Sequence, residues 1–130
     1  MKFENKRKSH LKSKLIIDQL FSEGQVITKK PFRLIYLKCE DPNLNGVQHF
    51  ISVPKKRFKL AVTRNRIRRI ISEAYRLHAN EIKQQFEHSN TYLAIGIIYI
   101  GKKEIRFSEI EKQMKDLLAE LISKQTTYNA

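Results

Sequence analysis

The chain has 130 residues, with 26 Lys or Arg against 13 Asp or Glu, a formal net charge of +13 and a pI near 10.0. This length predicts a single domain with one modest core, and the basic excess favours nucleic acid or an anionic membrane over an acidic small substrate as partner. No apolar run reaches the roughly 18 residues of a membrane-spanning helix, and no apolar segment of a signal peptide follows the first residues. The single cysteine, Cys39, argues against a disulfide framework or a Cys-based zinc site and fits a reducing, cytoplasmic location.

The first forty residues predict an arm, a helix and a strand. Residues 1–10 are basic and polar, which predicts a flexible N-terminal arm able to reach a polyanion. A helix is expected from Leu11 to about Glu23, where Gly24 stops it, followed by one strand from Val26 to Cys39. We assign residues 11–124 to a single domain and residues 125–130 to a polar tail.

A turn signal follows the strand. Residues 41–46 read Asp-Pro-Asn-Leu-Asn-Gly, and a second strand, residues 47–53, alternates apolar and polar side chains with His49 on the apolar side. The pattern predicts an antiparallel hairpin between the strands on either side of this turn.

The next segment, residues 55–78, combines a dense basic cluster with an amphipathic helix. Thr63 is the predicted N-cap. The predicted apolar stripe consists of Ile67, Ile70, Ile71, Ala74 and Leu77, and the opposite stripe of Asn65, Arg68, Arg69, Ser72 and Arg76. Arginines in the first turns oppose the helix dipole, and a bound phosphate would relieve that conflict. The pattern therefore predicts binding to a phosphate backbone, with a solvated charged face as the alternative.

The rest of the chain predicts one more strand and one more helix. Residues 79–90 are expected to form a polar extension and loop, and Thr91 to Ile100 a central strand, apolar on both faces. Ser108 and Glu111 fit a capping box that opens the last helix. The resulting fold class is α+β, one sheet with helices packed on it.

Catalytic patterns do not stand out in the sequence. No nucleophile–base pair, carboxylate cluster or pair of histidines at ligand spacing appears, and glycine-rich phosphate loops are absent. The chain therefore resembles a binding protein more than a self-sufficient catalyst. Four aromatic residues are candidates for stacking on a single strand, with ordinary core packing as the alternative: Phe21, Phe32, Tyr36 and Phe50.

One motif is specific. Ser52-Val-Pro-Lys-Lys56 precedes Ala61-Val-Thr-Arg-Asn-Arg-Ile-Arg-Arg69, and this combination resembles the protein component of bacterial ribonuclease P over nearly the whole chain. The resemblance implies the order αβββαβα and a mixed sheet whose parallel strands are joined by a left-handed βαβ crossover, against the usual right-handed preference. The third strand would come from splitting the segment 26–39 or from the segment 55–60.

The resemblance also implies roles for particular residues. Contacts to the catalytic RNA subunit are expected from Lys55, Lys56, Lys59, Arg64, Asn65, Arg66, Arg68, Arg69 and Arg76. A cleft for the 5′ leader of precursor tRNA is expected to include Ile17, Phe21, Phe32 and Tyr36. As departures, Ile17 stands where many members have an aromatic residue, Ser72 where a basic one is common, and the usual Gly before Ala61 is missing.

The implied activity is that of an endonuclease subunit. The RNA would carry the catalytic groups, with Mg²⁺ bound mainly by the RNA and the substrate. No catalytic or metal-binding residue is therefore expected on the protein. The expected partners are the catalytic RNA and precursor tRNA, with no membrane and no obligate protein partner. The alternatives are a non-catalytic structured-RNA-binding or ribosomal-type protein, a metal-dependent nuclease acting alone, and, least supported, a membrane binder.

Overall fold

The computed structural model describes residues 14–40, 46–87 and 91–129, with the side chains of Glu40 and residues 126–129 left out. Four helices and four strands occupy these residues. In chain order they are α1 (Lys14–Glu23), β1 (Gln25–Lys29), β2 (Phe32–Glu40), β3 (Gly46–Ser52), α2 (Ala61–His78), α3 (Asn80–Phe86), β4 (Thr91–Tyr99) and α4 (Phe107–Asn129). The predicted N-terminal arm, residues 1–10, lies outside the described residues, and residues 125–129 of the predicted tail continue α4.

The strands form one mixed sheet in the order β1-β2-β4-β3. Strand β2 is antiparallel to both β1 and β4, whereas β3 runs parallel to β4. The helices α2 and α3 lie in the connection between the parallel strands. The predicted α+β class and mixed sheet are confirmed, and the handedness of the crossover stays a prediction.

The predicted hairpin across residues 41–46 is wrong, because β2 and β3 do not pair; both lie against β4. Strand β4 is apolar on both faces, so the central position buries more of its surface than an edge position. The hairpin of the fold is instead β1–β2, which arises from the segment 26–39 splitting at Lys30 and Pro31. Of the two sources considered for the third strand, the split is the one observed.

The two faces of the sheet are covered unequally. We call the face under α2, α3 and α4 the closed face; its strand side chains belong to the main core. They are Ile27, Phe32, Leu34, Tyr36, Val47, His49, Ile51, Leu93, Ile95, Ile97 and Tyr99. We call the opposite face, packed against α1, the open face; its smaller cluster centres on Leu20, Ile35, Tyr92 and Ala94. The alternation predicted for residues 47–53 is confirmed, since His49 lies on the closed face and Phe50 on the open one.

The prediction of a polar extension and loop over residues 79–90 is wrong for residues 80–86, which form α3, and residues 88–90 lie outside the described residues. Ile82 and Phe86 are both buried against the core, while the remaining side chains of α3 are polar. Two apolar residues four positions apart form one side of a two-turn helix. Such a short stretch gives too few apolar positions to establish a helical period in the sequence.

Two predicted helix starts are displaced. Helix α2 begins at Ala61 with Leu60 as N-cap, so Thr63 lies inside the first turn. Helix α4 begins at Phe107, so Ser108 is not the cap, and the Glu111 carboxylate lies 3.2 Å from His78 Nε2 on α2 instead of closing a capping box. Within the described ranges, no helix is long and apolar enough to cross a membrane.

Candidate RNA interface

The basic segment before α2 is anchored to the core by apolar residues and backbone hydrogen bonds. Val53 is buried, and the carbonyl of Pro54 accepts hydrogen bonds from the backbone N–H groups of Arg57 and Phe58, at 3.1 and 3.3 Å. The Phe58 ring packs on the Tyr99 ring with centroids 5.9 Å apart. This anchored turn leaves the side chains of its basic residues in solvent: Lys55, Lys56, Arg57 and Lys59.

Helix α2 is fixed to the closed face along one side. Ile67, Ile71 and Ala74 are buried as predicted. Tyr75, which was not predicted as a core residue, is buried and stacks on His49 with ring centroids 4.1 Å apart. Leu77, predicted as part of the apolar stripe, is 45 % exposed. The helix turns its basic side to solvent because these buried residues set its rotation.

The start of α2 carries an uncompensated positive charge. Its N-cap makes no side-chain hydrogen bond and its first turn contains no acidic residue. Arg64 donates hydrogen bonds from Nη1 to the carbonyls of Phe58 and Lys59, at 2.8 and 2.9 Å. This guanidinium therefore ties the basic turn to the helix while keeping its full charge.

Asn65, Arg68 and Arg69 form the exposed part of the motif. The Arg68 guanidinium donates to Asn65 Oδ1 at 2.9 Å, a neutral acceptor that orients it without cancelling its charge. Arg69 is exposed and makes no hydrogen bond or ion pair with the residues that the structure describes. These two guanidiniums can present paired N–H donors to phosphate oxygens.

Arg66 and Arg76 are already paired with carboxylates. Arg66 donates from Nε and Nη2 to the two oxygens of Glu104, both at 2.8 Å, and Arg76 pairs with Glu73 on the same helix. The hydrogen bonds from Arg66 lower the pKa of Glu104, and those from Arg76 lower the pKa of Glu73. All four groups are fully charged near neutral pH, so the two pairs are ionic.

The residues predicted for the leader cleft do not lie on one surface. Phe32 and Tyr36 are buried on the closed face, and their assignment to a cleft beside α1 is wrong. Alternate residues of a strand point to opposite faces, and the register of β2 turns Ile35 and Leu37 toward α1 instead. The Tyr36 hydroxyl donates to Gln25 Oε1 at 2.9 Å and lines a recess of about 640 Å³ between β1, β2 and α4.

Ile17 and Phe21 do lie on the open face. Ile17 is half-buried in the open-face cluster, and Phe21 is 55 % exposed, with its ring 5.9 Å from the ring of Phe50 on β3. Phe50 lies opposite Gly96 of β4, and a Cβ at Gly96 would lie 2.6 Å from Phe50 Cζ. The glycine therefore makes room for the Phe50 ring beside α1.

Two further residues of the open face were not predicted as site residues. Val26 on β1 is 54 % exposed, and Arg33 on β2 is exposed. They share this face because Val26 pairs with Ile35, and Arg33 lies two residues before Ile35 on the same strand. The strand register places Val26 and Arg33 on the open face. The sequence alone does not determine that register.

The described residues contain no cluster of metal-ligating side chains. In the described ranges, no group of three or more His, Cys, Asp or Glu side chains could hold a metal ion. The donor set for Mg²⁺ is carboxylate oxygen, and these side chains do not converge into one.

Comparison with known proteins identifies the family of this chain. The family model described as Ribonuclease P matches residues 5–122. The chain belongs to the ribonuclease P protein family. The ribonuclease P protein component of Clostridioides difficile is 34 % identical over 101 residues, covering 77 % of this chain and 80 % of that protein. The component of Porphyromonas gingivalis strain W83 is 29 % identical over 102 residues, covering 78 % of this chain and 74 % of that protein.

Solved structures of ribonuclease P proteins share the fold. The Staphylococcus aureus RNase P protein superposes with a TM-score of 0.68 at 21 % identity, covering 87 % of this chain and 94 % of that one. The Thermotoga maritima protein gives a TM-score of 0.62 at 19 % identity, covering 84 % and 94 %. The family model and the curated relatives do not favour the ribosomal-type alternative.

Proposed function

We propose that this chain is the protein component of ribonuclease P, a ribonucleoprotein endonuclease that removes the 5′ leader from precursor tRNA. Family membership supports the identity of the complex. The observation that carries the assignment is the basic first half of α2, which contains no acidic residue of its own and in which hydrogen bonds to neutral acceptors orient Arg64 and Arg68.

The catalytic RNA subunit is the proposed partner of this basic surface. The surface combines α2 with the anchored turn before it, where Lys55, Lys56 and Lys59 are exposed. Each cation that docks on a phosphate releases counterions from the RNA, so affinity is expected to fall steeply with salt. The packed side of α2 keeps these charges in fixed positions, which reduces the ordering cost of binding.

The 5′ leader is the proposed ligand of the open face. Ile17, Phe21 and Phe50 offer apolar and aromatic surface beside α1, and Arg33 offers a charge on the same face. Stacking on aromatic rings together with a nearby cation is the usual way to hold a single strand without reading its sequence. This proposal assigns leader contacts to Phe50 and Arg33, and no longer to Phe32 and Tyr36, which are buried.

The chemical step is proposed to belong to the RNA. Mg²⁺, bound mainly by the RNA and the substrate, would supply the activation of water and the stabilisation of the leaving oxygen. The described side chains provide no carboxylate cluster for it. The contribution of the protein would be to neutralise phosphates and position the leader.

Reconstitution tests the proposal. A bacterial ribonuclease P RNA is incubated with precursor tRNA at low Mg²⁺, with and without this protein, together with a protein-only control. Cleavage should require both components, and Arg69→Gln should weaken the stimulation more than Lys112→Gln, which removes an equal charge from an exposed position on α4. Tight RNA binding without stimulation would favour a structured-RNA-binding protein instead, and cleavage by the protein alone would place the chemistry on the chain.

A further inference from the structure

Four of the five arginines of α2 fall into two electrostatic classes, and the fifth, Arg69, has no such contact with the described residues. Arg64 and Arg68 donate to carbonyl or amide oxygens, which orient a guanidinium and leave its charge available. Arg66 and Arg76 donate to carboxylates, which cancel the charge locally. Arg76 meets a neighbour on its own helix, whereas the partner of Arg66 comes from 38 positions further along the chain.

That partner, Glu104, lies in the connection between β4 and α4. The connection is otherwise basic, with exposed Lys102, Lys103 and Arg106 around a single acidic residue. Glu104 meets Arg66 with both oxygens at 2.8 Å, the fork-to-fork arrangement in which a guanidinium also binds phosphate. Both side chains are about half exposed, so solvent and RNA can reach the pair.

We propose that Glu104 is an intramolecular competitor of RNA phosphate for Arg66, and that it weakens the binding of this surface to RNA. The inference rests on the proposed function, because it assumes that α2 binds RNA. In a cognate complex the other contacts hold one phosphate close to Arg66. This phosphate can replace the carboxylate in the same bidentate geometry, so the exchange of one for the other changes the free energy little. A loosely placed phosphate of a non-cognate strand cannot match that geometry and leaves Glu104 in place.

The competitor has a distinct signature in the salt dependence of binding. A neutralised Arg66 adds no net cation to the surface, so docking a phosphate there releases few counterions. Glu104→Gln removes the competing charge and frees one cation. The slope of log affinity against log salt should then become steeper by about 0.7 for a single-stranded RNA.

The experiment compares four forms of the full chain: wild type, Glu104→Gln, Asp116→Asn and Arg66→Gln/Glu104→Gln. Asp116→Asn is the matched control, because Asp116 is an exposed carboxylate on α4 and its loss changes net charge equally. Affinities for fluorescent oligouridylate and for a bacterial ribonuclease P RNA are measured from low to high salt. Thermal melting confirms that each form is folded.

Glu104→Gln should bind oligouridylate about two- to fivefold more tightly than wild type. The gain for the ribonuclease P RNA should be at least as large, because its phosphate no longer has to displace the carboxylate. Asp116→Asn should change both affinities by well under twofold, and the double variant should lose the gain. Equal effects of Glu104→Gln and Asp116→Asn would reduce the result to net charge and overturn the inference. Weaker binding by Glu104→Gln would overturn it as well, because Glu104 would then position Arg66 for RNA.

The two proposals can fail separately. If the protein does not stimulate cleavage but Glu104→Gln still binds RNA more tightly than wild type, the proposed function is contradicted and the role of Glu104 as a competitor is kept. If the protein stimulates cleavage but wild type and Glu104→Gln bind oligouridylate equally tightly, the proposed function is kept and the role of Glu104 as a competitor is contradicted.

Discussion

The closed and open faces of the sheet differ in how completely helices cover them. Three helices cover the closed face, and nearly all of its strand side chains are buried. Among the residues that the structure describes, one ten-residue helix covers the open face; Phe21 and Val26 are more than half exposed and Phe50 is only partly buried. Burial of the closed face provides most of the folding stability. The apolar and charged side chains of the open face are therefore available for a ligand.

Truncation on the closed face should have the largest effect on stability. Ile95 lies at the centre of the sheet and is fully buried. Ile95→Ala should lower the free energy of unfolding by about 2–5 kcal/mol, because it removes buried methyl groups and leaves a cavity. Denaturant unfolding measures this, with Phe21→Ala on the open face as comparison, for which we expect a loss under about 1 kcal/mol. Equal losses would contradict the difference between the faces.

Filling the space beside Phe50 should perturb the open face itself. Gly96→Ala places a Cβ about where the Phe50 ring lies, 2.6 Å from Cζ, and 3.4 Å from Leu20 Cδ2. We expect a loss of about 1–3 kcal/mol from overpacking and a displaced Phe50 ring. Denaturant unfolding gives the first quantity and NMR shifts of the Phe50 and Phe21 rings give the second. An unchanged pair of rings would show that Phe50 does not depend on the glycine.

Removing one exposed charge should separate the two proposed RNA-binding surfaces. Arg69→Gln should weaken binding of the ribonuclease P RNA severalfold and reduce the salt slope by about 1, because one phosphate contact is lost. Arg33→Gln on the open face should leave that affinity nearly unchanged and weaken binding of leader-bearing substrate instead. Fluorescence titrations of both variants against both RNAs test this, and the reverse pattern would exchange the roles of the two surfaces.

The smallest predicted effect concerns alkaline pH. Burial raises the pKa of Tyr36, Tyr75 and Tyr99 on the closed face, and raises the pKa of Tyr92 on the open face to about 12. A raised pKa in the folded state means that the folded chain holds these protons more tightly than the unfolded chain. This stability is complete below the ordinary value of 10 and is lost as pH rises toward 12 and beyond. Melting temperature measured from pH about 9 to about 12 should fall, and a flat profile would contradict the burial of these hydroxyls.

The sequence predicted most of the closed side of the molecule. The 3.6-residue period located α2 through Ile67, Ile71 and Ala74, and continuous apolar character identified β4 as central. Strand order was not predictable, because the turn signal at residues 41–46 indicates a chain reversal without showing which strands pair. The face of β2 that meets α1 was equally undetermined, since β2 is apolar on both sides. Phe32 and Tyr36 were therefore assigned to the cleft beside α1, although they lie on the closed face.

The exposed basic side of α2 was predictable as a surface and unpredictable in its details. The basic stripe of Asn65, Arg68 and Arg69 follows from helical spacing. The pairing of Arg66 with Glu104 depends on a contact between residues 38 positions apart, which only the fold brings together. Such pairings decide which guanidiniums remain without a carboxylate partner.

The most direct test measures whether the open face binds the leader. A complex of bacterial ribonuclease P RNA with this protein is titrated with precursor tRNA and with mature tRNA, using wild type and Phe21→Ala/Phe50→Ser. Wild type should prefer the leader-bearing substrate, and the double variant should lose that preference while assembling with the RNA as tightly as before. An unchanged preference with normal assembly would contradict the proposed role of the open face.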